Sequence, residues 1–183
     1  MALHTFVAGD VLLAQQLNDS FAAVGGLQLI SSTTIGTAVS SVTVTGAFSS
    51  TYNNYRVMVD VNSASTGLNL NLTLGSTATG YYRFLFLGAY SANTVSGANN
   101  QNATSFGALA VPADGCAGEI EIHNPNTAQE TGLLSRVVEF ATGGGHYVVG
   151  GYLNDTTAYT AFTLTTSTGT ITGGTVKVYG YKN

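Results

Sequence analysis

The sequence predicts an all-β fold: an antiparallel two-sheet sandwich of jelly-roll type, preceded by one short N-terminal α-helix. Three observations point there. Apolar and polar residues alternate over segments of roughly four to eight residues, the period of a half-buried strand. Glycine, asparagine, aspartate and proline punctuate these segments at short intervals, with no helical pattern between them. No fixed-period repeat is present, which excludes a solenoid or a propeller.

The chain has 183 residues, room for one domain and an appendage, and enough to bury a proper core. We divide it into residues 1–26, an attachment segment carrying the helix, and residues 27–183, the β-sandwich domain. Only 8% of residues are charged, against roughly a quarter in an average soluble protein. Hydroxyls and amides take their place on the surface. That composition suits a protein held in an assembly, or one facing saccharides, better than a freely diffusing enzyme. The net charge is −4 and the cations are dispersed, so no basic patch is available to neutralise nucleic-acid phosphates. No run approaches the ~18 apolar residues of a membrane-spanning helix, so no membrane insertion is expected. His4, Gly9, Asp10, Gln15 and Gln16 interrupt the apolar residues near the start. The expectation is therefore no export signal, and assembly in the cytoplasm where the chain is made.

Taken in order, Ala14, Leu17, Phe21 and Val24 recur at steps of three and four and form one helical stripe. The stripe is too short to be stable alone in water and must lie against the β body, its own copies or a larger partner. Gly25 and Gly26 end it. Leu27 to Ile30 opens the strands, and Val39 to Thr45 follows with Val42 and Val44 set against hydroxyls. Tyr55 to Val61 places Tyr55, Val57, Val59 and Val61 on one face, and Leu68 to Leu74 alternates leucine with polar residues throughout. Tyr81 to Leu87 is apolar on both faces and reads as a strand covered on both sides, by the opposite sheet or by a neighbouring subunit. Ser91 to Ser105, rich in Asn, Ser, Ala and Gly, reads as a long loop. Strands resume at Phe106 to Val111, Glu119 to His123, Leu133 to Phe140, His146 to Leu153, Tyr159 to Thr165 and Thr175 to Tyr181. Asp114-Gly115, Asn124-Pro125-Asn126 and Gly173-Gly174 mark turns. Roughly ten or eleven strands result.

Phe6, Ala8, Gly9, Leu12, Ala14, Leu17 and Asn18 trace the pattern Phe-x-Ala-Gly-x-x-Leu-x-Ala-x-x-Leu-Asn. This resembles a segment near the N-terminus of many tailed-bacteriophage virion proteins, including tail fibres and small head or tail components. Leu13 departs from it, standing where the family usually has a threonine able to cap the helix; the cap then falls to Asp10 or is missing. The run from Phe48 to Val57 and the closing Gly173-Gly174-Thr175-Val176-Lys177-Val178-Tyr179-Gly180 are similar to a β-rich module of small phage virion proteins. The resemblance implies a particle component, often a homotrimer, in contact with other virion proteins. Phe6, Leu12, Leu17, Phe21 and Val24 are the expected docking or oligomerisation residues. On this reading the chain is a non-enzymatic fibre or tail appendage that docks through its N-terminus and faces host surface glycans. A capsid decoration protein clamping the head is the alternative, and a stand-alone carbohydrate-binding module is a further one.

Catalytic chemistry finds little support in the residues. His4, His123 and His146 lack the close spacing of metal ligands, and no cofactor motif occurs. Cys116, the one cysteine, reads as a buried thiol. Glu119 and Glu121 share one strand face, whereas glycoside hydrolysis needs two carboxyls across a cleft. They read instead as a solvated surface or as partners for Arg56, Arg83 or Arg136. Binding has more support. Ten tyrosines and no tryptophan fit an adaptable polar surface. Tyr81, Tyr82 and Tyr90 flank the segment containing Asn99 and Asn100, a candidate contact for glycans or for a neighbouring subunit. The alternative is core and interface packing with the hydroxyls at the rim.

Overall fold

The computed structural model describes residues 26–182. The expected helix, and with it Phe6, Leu12, Leu17, Phe21 and Val24, lies outside the described residues. Twelve strands follow: β1 (Leu27–Thr34), β2 (Ser41–Val44), β3 (Asn54–Ala64), β4 (Leu68–Leu74), β5 (Tyr81–Ala89), β6 (Val95–Ala103), β7 (Phe106–Val111), β8 (Cys116–His123), β9 (Thr131–Glu139), β10 (Gly145–Leu153), β11 (Phe162–Thr166) and β12 (Ile171–Tyr181). They form two antiparallel sheets. One has eight strands in the order β1-β12-β3-β8-β9-β10-β5-β6, and the other has four in the order β2-β11-β4-β7. The arrangement is all-β and sandwich-like, with one hydrophobic core shared by residues of both sheets.

Period-2 alternation explains which residues reach that core. In β4, Leu68, Leu70, Leu72 and Leu74 are buried while Asn69 is exposed. In β3, Tyr55, Val57, Val59 and Val61 are buried, and Arg56, Met58 and Asp60 face the other way. Such strict alternation pins the register, because a slip of one residue would carry the whole apolar set to the wrong side. The segment before β3 adds aromatic packing: Phe48 meets Tyr55 edge-on with ring centroids 4.9 Å apart. The Tyr55 hydroxyl donates to the Ser49 carbonyl at 2.6 Å and accepts from the Ser49 amide at 2.8 Å. That pair locks the chain as it enters the strand. At the expected Asp114-Gly115 turn, the Gly115 amide donates to the Pro112 carbonyl at 3.1 Å. Gly115 holds φ at +87°, where a Cβ would run into Val61 and Asn62 backbone oxygens.

One expectation needs correction. Ser91 to Ser105 is not a loop, because Val95–Ala103 forms β6, an edge strand paired to β5. Its pairing partner, not its own propensity, draws it into the sheet. Strand β5 is expected to be covered on both sides, by the opposite sheet or by a neighbouring subunit. Its inward residues Tyr81 and Leu85 pack on the core, yet Phe84 and Phe86 are 46% and 54% exposed. The described residues cover one face of this strand and leave the other bare.

Candidate functional site

The bare face of β5 continues across the whole eight-stranded sheet. Registry puts Tyr82, Phe84 and Phe86 of β5, Tyr152 and Val148 of β10, and Val138 of β9 on this outer side. Leu27 and Leu29, opposite Tyr181 and Tyr179, extend it to the far edge. Leu27, Leu29, Phe84, Phe86, Val95, Val138 and Tyr152 are all exposed large apolar side chains. Scattered single exposures need no explanation, but a sheet face carrying this many does.

At the β6 end, Tyr82 and Tyr152 sit directly opposite each other and stack, with centroids 5.2 Å apart and planes 12° from parallel. Phe84 and Phe86 pack beside them, centroids 4.9 Å apart. Phe84 lies between Gly150 and Asn99, and its ring leans over Gly97, where a Cβ would come within 3.1 Å of it. Tyr82, Tyr152, Asn99, Asn100, Gln101 and the two glycines 150 and 151 surround an open cleft of about 280 Å³. Stacked rings bordered by amides offer apolar faces and hydrogen-bond donors and acceptors side by side.

Toward the middle of the face an ionic ladder crosses four strands. The Tyr181 hydroxyl donates to Glu121 at 3.0 Å, and Arg56 Nη2 donates to the same carboxylate oxygen at 2.6 Å. Arg56 Nε stands 3.7 Å from Glu119, and Arg136 Nη1 donates to Glu119 at 2.7 Å. The hydrogen bond from Arg56 holds Glu121 below the usual carboxylate range, and the same contact raises Arg56. Two cations balance two anions, so the ladder adds no net charge to the face. Beside it, Met58, Arg136, Val138 and His146 border a shallow apolar hollow of about 290 Å³.

The structure separates the residues expected to act together. Tyr82, Asn99 and Asn100 gather at the cleft. Tyr81 does not: it is fully buried, accepting from the Leu74 amide at 2.9 Å and donating to the Thr77 carbonyl at 3.0 Å. Burial pushes its hydroxyl up to about 12. Adjacent residues of one strand face opposite sides, so Tyr81 and Tyr82 could never share a surface. Tyr90 is exposed and lies elsewhere, its hydroxyl donating to the Glu139 carbonyl at 3.3 Å. Tyr152 and Gly150 were not anticipated; paired glycines inside a strand were the available signal. Glu119 and Glu121 do meet Arg56 and Arg136, but not Arg83.

Elsewhere the chemistry is quiet. Cys116 is buried, and burial pushes its thiol up to about 12, which removes thiolate character at neutral pH. His123 Nδ1 shares a hydrogen bond with Asn54 Oδ1 at 2.9 Å. Among the described residues, no three His, Cys, Asp or Glu side chains gather closely enough to hold a metal ion. In comparisons with known proteins, the chain matches no family model, no curated protein and no solved structure.

Proposed function

We propose that this chain is a non-enzymatic structural protein of a tailed-bacteriophage particle, a self-associating, trimeric fibre or tail appendage. Its N-terminal segment docks to other virion proteins, and its β domain faces outward toward host glycans. The observation that carries this reading is the outer face of the eight-stranded sheet, rich in exposed apolar side chains, crossed by a paired Arg–Glu ladder and left uncovered by the described residues. Burying the apolar parts of such a face against other copies removes apolar area from water while the charges of the ladder stay paired.

The strand order supports a jelly-roll wiring beneath it. Setting aside two hairpins, β1-β12-β3-β8 and β2-β11-β4-β7 are the two four-stranded sheets of a double Greek key. The hairpins β5–β6 and β9–β10 then widen one sheet only. Viral structural proteins and lectins both use that architecture, so fold alone does not choose between them. The phage-like N-terminal pattern Phe6, Ala8, Gly9, Leu12, Ala14, Leu17 and Asn18 favours the particle.

Immunogold labelling of purified particles of the phage encoding the chain tests the proposal. Gold at the tail or its fibres is expected. Gold over the head would replace the appendage by a decoration protein, and unlabelled particles would overturn the virion reading altogether. Leu17→Asp, placed in the apolar stripe, should leave the β domain folded yet abolish incorporation.

A further inference from the structure

Among the described arginines, Arg83 alone lacks an acid. Arg56 and Arg136 each have a carboxylate within 2.7 Å. Around Arg83, no side-chain or backbone acceptor of the described residues meets the guanidinium, and its Nε is sealed from water without a partner. Burial alone displaces its pKa downward. A half-buried guanidinium with a sealed, unpartnered Nε and no acid beside it carries a desolvation cost, so its placement calls for an explanation.

The surroundings are shaped to keep it there. Arg83 points from β5 toward the inner side of the large sheet, where β5 and β10 extend past the free edge of β7. Gly151, its neighbour on β10, has no side chain; a Cβ there would come within 3.1 Å of the Arg83 Cβ. The guanidinium lies on Gly107 of β7, where a Cβ would stand 3.1 Å from the central carbon and 3.2 Å from Nη2. The two glycines thus cradle its stem and its head. In front is a partly enclosed pocket of about 120 Å³, bordered by Asn69 and Asn71 of β4 together with Leu85, Gly107 and Tyr147. Its lining contains no acid. Glu139 borders the adjoining cavity, where its Oε2 accepts from the Gly145 amide at 2.8 Å.

We propose that this pocket is a carboxylate-binding site, with the Arg83 guanidinium as the charged donor and the amides of Asn69 and Asn71 completing the shell. Arginine presents its donors as a planar fork that matches a carboxylate's two oxygens. The volume is well under the roughly 300 Å³ of a whole small-molecule site, so the pocket takes an acidic head group with the rest of its ligand outside. An acidic sugar and a polypeptide carboxylate present the same group.

The chain has three arginines, so the Nε–H region of a ¹⁵N spectrum of the full chain contains three side-chain signals. Arg83→Lys assigns one of them. Should that variant fail to fold, Arg56→Lys and Arg136→Lys assign Arg83 by elimination. Sodium acetate is titrated against sodium chloride at constant ionic strength. The Arg83 signal should shift saturably, while those of Arg56 and Arg136, already paired, follow the chloride control. Asn71→Ala should weaken acetate binding about tenfold, the loss of one hydrogen bond to a charged group. Tighter binding of glucuronate than of acetate would point to an acidic sugar, and tighter binding of N-acetylaspartate to a polypeptide. Equal drift of all three signals, no shift beyond the control, or equal affinity for inorganic phosphate would overturn the carboxylate assignment.

Discussion

Replacing Phe84 and Phe86 together by threonine isolates the outer face, because both rings project from it and neither supports the core. They are 46% and 54% exposed, and a phenylalanine side chain has roughly 200 Å² to bury. About 200 Å² of ring surface therefore remains in water on each chain. Covering it at ~25 cal/mol per Å² would contribute at most about 5 kcal/mol per protomer, before the costs of ordering and docking are subtracted. If only a third of that survives, its loss weakens association more than tenfold. Threonine is β-branched and strand-favouring, so the unfolding midpoint in urea should move little. Sedimentation equilibrium at micromolar concentration is the assay. The native chain should sediment as an oligomer and the double variant shift toward the 18.8 kDa monomer. A native chain that is monomeric, or a variant that assembles as tightly, would refute the interface argument.

Three further predictions concern the interior and the ladder. Tyr81→Phe leaves the buried Leu74 amide without its acceptor and should cost about 1–3 kcal/mol, read as a lower urea midpoint. Cys116, buried with its thiol pushed up to about 12, should react with a disulfide reagent only when the chain unfolds; fast labelling of the folded protein would contradict its placement. Glu121 titrates below its ordinary 4.5 because of the Arg56 hydrogen bond. Its contribution is complete above the unfolded value and is lost as pH falls through the lower folded one. Glu139 runs oppositely: burial raises its pKa, so it opposes folding once ionised, and that opposition fades on acidification. Arg56→Gln should therefore flatten only the Glu121 component, seen as a smaller difference in urea midpoint between neutral pH and pH below 4.5.

Much of the fold was legible because one physical signal dominates it. Strict alternation located β3 and β4, and the leucines of β4 were assigned to the buried face from their spacing alone. β6 was missed for the complementary reason. Val95 is its one β-branched residue, and the rest is Ser, Gly, Ala, Asn and Gln, a composition that local propensity assigns to loops. It is a strand because β5 supplies a ladder beside it, which no local window can register. Tyr81 shows a different failure. The alternation that located its strand also set it opposite to Tyr82, so grouping the two tyrosines at one site ignored evidence already present. Glu119 and Glu121 read either as a solvated surface or as partners of any of the chain's three arginines, and long-range pairing of β3, β8 and β9 selected two of these. The solitude of Arg83 is a fact about sheet overhang and had no trace in the order of residues.

The β5–β6 hairpin leaves the small sheet at the end of β4 and rejoins it at β7, and those strands are paired neighbours, with Leu72 opposite Phe106. The excursion is a closed detour: the chain departs and returns at nearly the same place. Its length can therefore drift over evolutionary time without disturbing the hydrogen-bond register of the strands it interrupts. A protein wired in this way can remodel its rim while inheriting its centre unchanged.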